Sequence, residues 1–222
     1  MKAMILAAGR GQRMRPLTDS VPKPLLEVRG KALIDYHLEA LARAGVTDVV
    51  INTHYLGHLI QEHVGDGARY GLRIMISAED DLLETAGGIK HALPMLGEAP
   101  FIVVSGDIFC TFDFADLPRE LPDQMAHLVM VENPAHHLRG DFSLESSGRL
   151  SMATDARLTY GGIGVYSPAF FDGVPSLDGR TEPMMLRTLF FEFIPSGEVT
   201  AEKFIGTWSD VGTPDRLRAL DS

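Results

Sequence analysis

The chain has 222 residues, 45% of them hydrophobic and 23% charged, which is enough apolar material for one sizeable core in a single domain spanning 1–222. A net charge of -10 argues against a nucleic-acid-binding surface, and the single cysteine, Cys110, rules out an internal disulfide framework or a cysteine metal cluster. No apolar run reaches the roughly 18 residues a membrane helix needs, and the N-terminus lacks the apolar region and cleavage site of a signal peptide, so a cytoplasmic protein without membrane contact is expected.

Positive charge is concentrated at the start. Through Lys31 there are seven cations against Asp19 and Glu27, a local +5 that suits a small, highly charged anion better than a long polymer. Ala3 to Ala8 form an apolar run of strand length, after which Gly9 and Gly11 permit close backbone approach to an anion. Arg10, Arg13, Arg15 and Lys23 follow as cationic donors, with Pro22 and Pro24 restricting the backbone around Lys23. A dinucleotide fingerprint would need glycine where Met14 stands, and the Gly-Lys-Ser/Thr of a P-loop is absent.

The run GRGQRMRPLT followed by PKP resembles the signature of the sugar-phosphate nucleotidyltransferases, with Gln12 in place of the usual Thr. The resemblance implies nucleotide contacts from Ala7, Gly9, Gly11, Gln12, Arg13 and Lys23, with Arg13 and Lys23 as the catalytic pair. It also implies small-molecule substrates, a nucleoside triphosphate and a sugar 1-phosphate, and Mg2+ as cofactor.

Further along, Ala32 to Ala44 show helical spacing (Leu33, Ile34, His37, Leu38, Leu41) and stop at Gly45. Asp48 to Thr53 read as a buried strand, Leu56 to Val64 as a helix ended by Gly65-Asp66-Gly67, and Leu72 to Ile76 as the next strand. This alternation indicates a mostly parallel sheet with helices on both faces. In EDDLLETAGGIK, Thr85 is a candidate helix cap. By resemblance, Gly87 and Gly88 line the nucleotide base, with Glu79 at its edge.

Pro100 to Asp107 form an apolar strand that delivers Asp107 at its carboxyl end, where open α/β sheets bind ligands. The family's Gly-Asp matches Gly106-Asp107, which implies a nucleotide contact at Gly106, a metal ligand at Asp107 and a sugar contact at Ser105. Ala126 to Glu132 make another strand, followed by NPAHHLRGDF. His136 and His137 are adjacent, so they point to different sides, and solvated loop histidines are expected. This stretch resembles the branch of the family that uses UTP and N-acetylmuramic acid 1-phosphate, suggesting Asn133, Gly140 and Asp141 on the sugar side. The broader family's Glu-Lys-Pro sugar motif is missing, and Asp155 is the candidate to replace its Glu.

Tyr160 to Tyr166 read as a strand, and Pro183 to Phe193 as a buried helix rather than a ligand box. The final WSDVGT matches the family's W-x-D-V-G-T, which implies that Asp210 is the second metal ligand, while Thr213 and Pro214 suit entry into a last helix. The fold implied is α/β, a single-domain Rossmann-like three-layer sandwich with a mostly parallel central sheet. Another base and sugar pairing, such as GTP with mannose 1-phosphate, is the nearest rival, and a non-catalytic nucleotide sensor stands further off because both aspartates are present. A hydrolase is disfavoured by the absence of G-x-S-x-G and H-E-x-x-H. The sequence leaves the oligomeric state open.

Overall fold

The computed structural model describes residues 1–221. A nine-stranded sheet runs in the order Leu150–Ser151, Phe142–Leu144, Arg157–Tyr166, Phe101–Ser105, Ala3–Leu6, Asp48–Thr53, Arg73–Ala78. Two further strands complete it: Ala126–Val131 pairs with Arg157–Tyr166, and Val199–Lys203 pairs with Ala126–Val131. Ala3–Leu6 pairs in parallel with both Phe101–Ser105 and Asp48–Thr53, and Asp48–Thr53 pairs in parallel with Arg73–Ala78. Arg157–Tyr166 runs antiparallel to its three neighbours, and Leu150–Ser151 antiparallel to Phe142–Leu144.

The central strands are apolar throughout because both faces are covered. Ala3, Ile5, Val49, Ile51, Ile102 and Val104 join one core. Met4, Val50, Phe101 and Val103 join the other. This period of two, with no polar face, is what a sheet between two helical layers requires. Helices α1 (Leu33–Arg43) and α2 (Gly57–Val64) cover the first face through Ile34, Leu38, Leu41, Ile60 and Val64. Helices α3 (Glu84–Leu96) and α4 (Leu186–Phe193) cover the second through Ala86, Ile89, Leu189 and Phe190. A last helix, α5 (Pro214–Leu220), packs by Leu217 and Leu220 on a small third core around Met14 and Val211. No helix among the described residues is long and apolar enough to cross a membrane.

Two details bear on the site. The strand Arg157–Tyr166 shifts register between Tyr160 and Ile163, where Gly162 has φ 75°. Its first residues pair with Phe142–Leu144 and its last with Phe101–Ser105, so the sheet parts at the bulge. The second detail corrects the expected cap at Thr85. Helix α3 starts at Glu84 with φ 59°, and its amides at Ala86 and Gly87 donate to the Met184 carbonyl at 2.8 and 3.2 Å. The Thr85 hydroxyl is left to accept from the Leu186 amide at 2.6 Å, which ties the starts of α3 and α4 together. Accordingly α4 begins at Leu186 and not at Pro183: residues 182–185 lie outside the helix, and the Met184 carbonyl serves α3.

His37 on α1 is 2% exposed, with Nε2 2.9 Å from the Ile108 carbonyl, to which only a protonated ring nitrogen can donate. Burial pushes its pKa from 6.5 down to about 4, outweighing the Ile108 hydrogen bond and the charge of Asp107. The unfolded chain therefore takes up this proton at higher pH than the folded one. The contribution to stability is complete above 6.5 and falls as pH drops toward 4. Urea unfolding at pH 7 and pH 5 should show about 2 kcal/mol lost through this group. A His37→Leu variant should lose that part of the pH dependence, and an unchanged dependence would contradict the assignment.

Candidate active site

The segment between Leu6 and Glu27 is shaped by local turns and anchored by distant contacts. It forms three 3-10 turns, Gln12–Met14, Leu17–Asp19 and Lys23–Leu25. Gly11 has φ 61°, and a side chain there would lie 2.9 Å from the Thr18 methyl, so only glycine fits. The buried Thr18 hydroxyl donates to the Gly11 carbonyl at 2.8 Å. Met14 is buried against Leu26, Val28, Leu33, Phe109 and Val211, which anchors the middle of the loop. Gly9 is different: nothing lies within 4 Å of where its Cβ would stand. Its backbone is open to a ligand.

The loop cations separate into three kinds. Arg13 is exposed, and it forms no ion pair among the described residues. Arg10 is exposed, with Nη2 3.5 Å from His54 Nε2. Arg15, expected as a phosphate donor, is instead paired with Asp19 at 3.1 Å across the turn. Lys23 is 9% exposed, and its Nζ lies 2.5 Å from Asp107 Oδ2.

Asp107 reaches that position because Gly106 lets two strand ends meet. The Gly106 amide donates to the Leu6 carbonyl at 2.9 Å, and a Cβ at this position would stand 2.8 Å from the same oxygen. The Asp107 carbonyl accepts from the Val211 amide at 2.8 Å, and Asp210 sits opposite Ile108 in an antiparallel pair, so the two aspartates lie on neighbouring backbones. Trp208 Nε1 fixes this strand by donating to the Gly161 carbonyl at 2.8 Å. Asp210 Oδ2 accepts from Arg216 on α5, which Thr213 caps. Its Oδ1 lies 3.0 Å from His136 Nε2 but is buried without a hydrogen bond.

An unsatisfied buried carboxylate oxygen beside a second, half-exposed carboxylate fits a divalent cation that takes its remaining ligands from substrate oxygens. No group of three or more His, Cys, Asp or Glu is placed to hold a metal among the described residues, so protein ligands would be these two carboxylates.

Two adjoining cavities open along this sheet edge. The first, about 190 Å³, is lined by Ala7, Ala8, Gly9, Lys23, Asn52, Leu82 and Asp107 among others. The second, about 290 Å³, is lined by Asp141, Phe142, Tyr160, Met185, Leu186, Arg187 and Phe190. Leu6, Glu84, Thr85 and Ser105 belong to both walls. The second cavity lies where the bulge at Gly161-Gly162 parts the sheet, and there the Tyr160 amide donates to Asp141 Oδ2 at 2.9 Å.

Several expected contacts are occupied by the protein itself. Glu79 is 6% exposed, accepts from Asn52 Nδ2 at 2.7 Å and from the Leu83 amide at 3.1 Å, and does not line the cleft. Asn52 in turn accepts from the Ala7 amide at 2.9 Å, so Glu79 braces the loop indirectly. Gly88 lacks a side chain because one would meet Glu79 Oε1 at 2.6 Å, and Gly87 because one would meet the Glu182 carbonyl at 2.7 Å. Both glycines are buried packing positions. Asn133 accepts from Thr159 and donates to the carbonyls of Leu138 and Arg157, and a Cβ at Gly140 would meet Asn133 Oδ1 at 2.7 Å. These two residues fold their own loop. Asp155 is exposed and lines neither cavity.

The paired histidines are not simply solvated. They point to different sides, His136 to Asp210 and His137 to Asp141 Oδ1 at 3.2 Å, so one loop reaches a carboxylate of each region.

Asn52, Leu82 and Arg187 carry no ligand role in the sequence motifs, and the apolar spacing of Leu186 and Phe190 marks them as core alone. A polar residue ending an apolar strand was the available signal for Asn52. Glu84, a non-glycine residue held at φ 59° on the shared wall, stores strain of about 1 kcal/mol or more at the cleft.

The profile of the nucleotidyl transferase family matches residues 2–138. The chain is 48% identical to the N-acetylmuramate alpha-1-phosphate uridylyltransferase of Neisseria meningitidis serogroup B, over 98% of this chain and 96% of that protein. It is 37% identical to the protein of the same name from Caulobacter vibrioides, over 99% and 95%. Among solved structures, a Bacillus anthracis protein in complex with sucrose superposes with a TM-score of 0.83 at 20% identity, over 100% of this chain and 94% of that one, a likeness of fold alone. By family profile and by similarity along nearly its whole length, the chain belongs to the nucleotidyl transferase family.

Proposed function

We propose that the protein joins UTP and N-acetylmuramic acid α-1-phosphate to give UDP-N-acetylmuramic acid and pyrophosphate, a step that returns a cell-wall sugar to its nucleotide form. The observation that carries this reading is the pair of adjoining cavities at one sheet edge, one bounded by the Gly9 loop, Lys23 and Asp107 and the other by Asp141, Tyr160 and α4. The 48% identity to a uridylyltransferase of that specificity supports the choice of substrates.

In the reaction, an oxygen of the sugar 1-phosphate attacks the α-phosphorus of UTP. A new P–O bond forms, the bond from the α-phosphorus to the bridging oxygen breaks, and pyrophosphate leaves with that electron pair. A phosphate monoester has a second pKa near ~6, so the nucleophile is already ionised at neutral pH and no general base is required. What the chain must supply is alignment of two anions that repel each other. The open backbone at Gly9 and Arg13, unpaired among the described residues, are suited to the β and γ phosphates. Lys23 needs only to exchange Asp107 for a phosphate oxygen to place its charge where negative charge accumulates. Asp107 and Asp210 would hold Mg2+, which when bound offsets phosphate charge.

Removing one preorganised donor costs on the order of 3 kcal/mol, so Lys23→Ala should lower turnover about a hundredfold or more in a pyrophosphate-release assay. Near-normal turnover would remove Lys23 from the mechanism. The substrates are tested by the same assay across UTP, dTTP, GTP, CTP and ATP against N-acetylmuramic acid, N-acetylglucosamine, glucose and mannose 1-phosphates. The expected maximum is UTP with the muramic sugar, whereas a maximum with GTP and mannose 1-phosphate would keep the chemistry and overturn the substrate assignment.

A further inference from the structure

The two charged side chains that face the second cavity away from its shared edge differ in availability. Asp141 is committed, with Oδ2 accepting from the Tyr160 amide at 2.9 Å and Oδ1 3.2 Å from His137 Nε2. Arg187 is the one cation among the described lining residues. Its side chain is exposed and makes no hydrogen bond or ion pair among the described residues; its guanidinium carbon rests 5.1 Å from the Phe191 ring centroid. Such stacking holds an arginine in place while leaving its N–H fork free. Leu186 and Arg187 are also the first two residues of α4, so the positive end of that helix lies on the same wall.

N-acetylmuramic acid differs from N-acetylglucosamine by a lactyl ether, which adds a methyl group and a carboxylate. Phe142, Leu186 and Phe190 give the cavity apolar surface for the methyl group, and a guanidinium fork matches a carboxylate through two parallel hydrogen bonds. Accepting the function proposed above, on which this step rests, we infer that Arg187 recognises the lactyl carboxylate and thereby selects the muramic sugar over its unsubstituted parent. Asp141, held by a backbone amide and a histidine, is spent on the shape of the cavity and does not compete for the guanidinium. The specificity of the enzyme is then located on α4, which the sequence marks only as an apolar helix.

The test is steady-state kinetics with UTP on the wild type, Arg187→Gln and Arg187→Lys, using N-acetylmuramic acid 1-phosphate, its lactyl methyl ester and N-acetylglucosamine 1-phosphate. Arg187→Gln should lower the ratio of kcat/KM for the muramic sugar over the parent by about 10- to 100-fold, the range for hydrogen bonds to a charged group, and chiefly through KM. Arg187→Lys should recover part of the ratio. On the wild type the methyl ester should lose a similar factor, and Arg187→Gln should add little to that loss. An equal loss on both sugars, or a wild type indifferent to esterification, would overturn the role of Arg187 and leave the function standing. A wild type that turns over the parent sugar but not the muramic one would overturn both.

Discussion

The contact on which the site depends is the ion pair between Lys23 and Asp107. An ammonium group on a residue only 9% exposed must have a partner, because a buried unpaired charge is strongly unfavourable. The half-exposed carboxylate of Asp107 supplies one at 2.5 Å. Holding the pair brings three distant segments together. The loop after the first strand carries Lys23, the end of Phe101–Ser105 delivers Asp107, and Val211 donates to the Asp107 carbonyl beside Asp210. The cation is of the kind that pairs with phosphate, and the carboxylates are of the kind that hold a divalent cation. Without ligand they neutralise each other, and Arg216 serves Asp210 in the same way.

The sheet explains why this edge is available. Parallel strands covered on both faces end together, and the crevice lies beyond their carboxyl ends where the chain leaves Ala3–Leu6 for one side and Phe101–Ser105 occupies the other. The antiparallel strand Arg157–Tyr166 then widens the crevice. Its bulge packs at Gly162 against Ser105, and helix α4, tied to Thr85, closes the far wall. The two compartments are therefore consequences of backbone geometry, with Glu84 and Thr85 as their common boundary.

What was legible in the sequence was local. Asp48–Thr53 is observed with the predicted ends because a run buried on both faces leaves no ambiguity of period. Helix α1 stops where Gly45, at φ 78°, takes the left-handed conformation expected of it. The loop cations and both aspartates were legible through their motifs, and the structure brings Lys23, Asp107 and Asp210 to one edge. What was not legible depends on partners far along the chain. Gly9 and Gly87 look alike in sequence, yet one faces open space and the other a carbonyl 95 residues away. Glu79 and Asn133 are polar residues near the site whose hydrogen bonds turn inward, which only the fold can decide. Arg15 reads as a phosphate donor until Asp19 is seen across its turn. Apolar spacing likewise marked α4 as core and could not reveal that its first turn also walls a cavity.

The most direct measurement is a crystal structure of the protein with UTP and Mg2+ in the absence of sugar phosphate. The expected result is a triphosphate along Gly9 to Arg13, the base against Leu82 and Thr85, and Lys23 Nζ moved from Asp107 to a phosphate oxygen. A triphosphate bound elsewhere, with the Lys23–Asp107 pair intact, would contradict the central claim that this ion pair holds the place of the reacting phosphates.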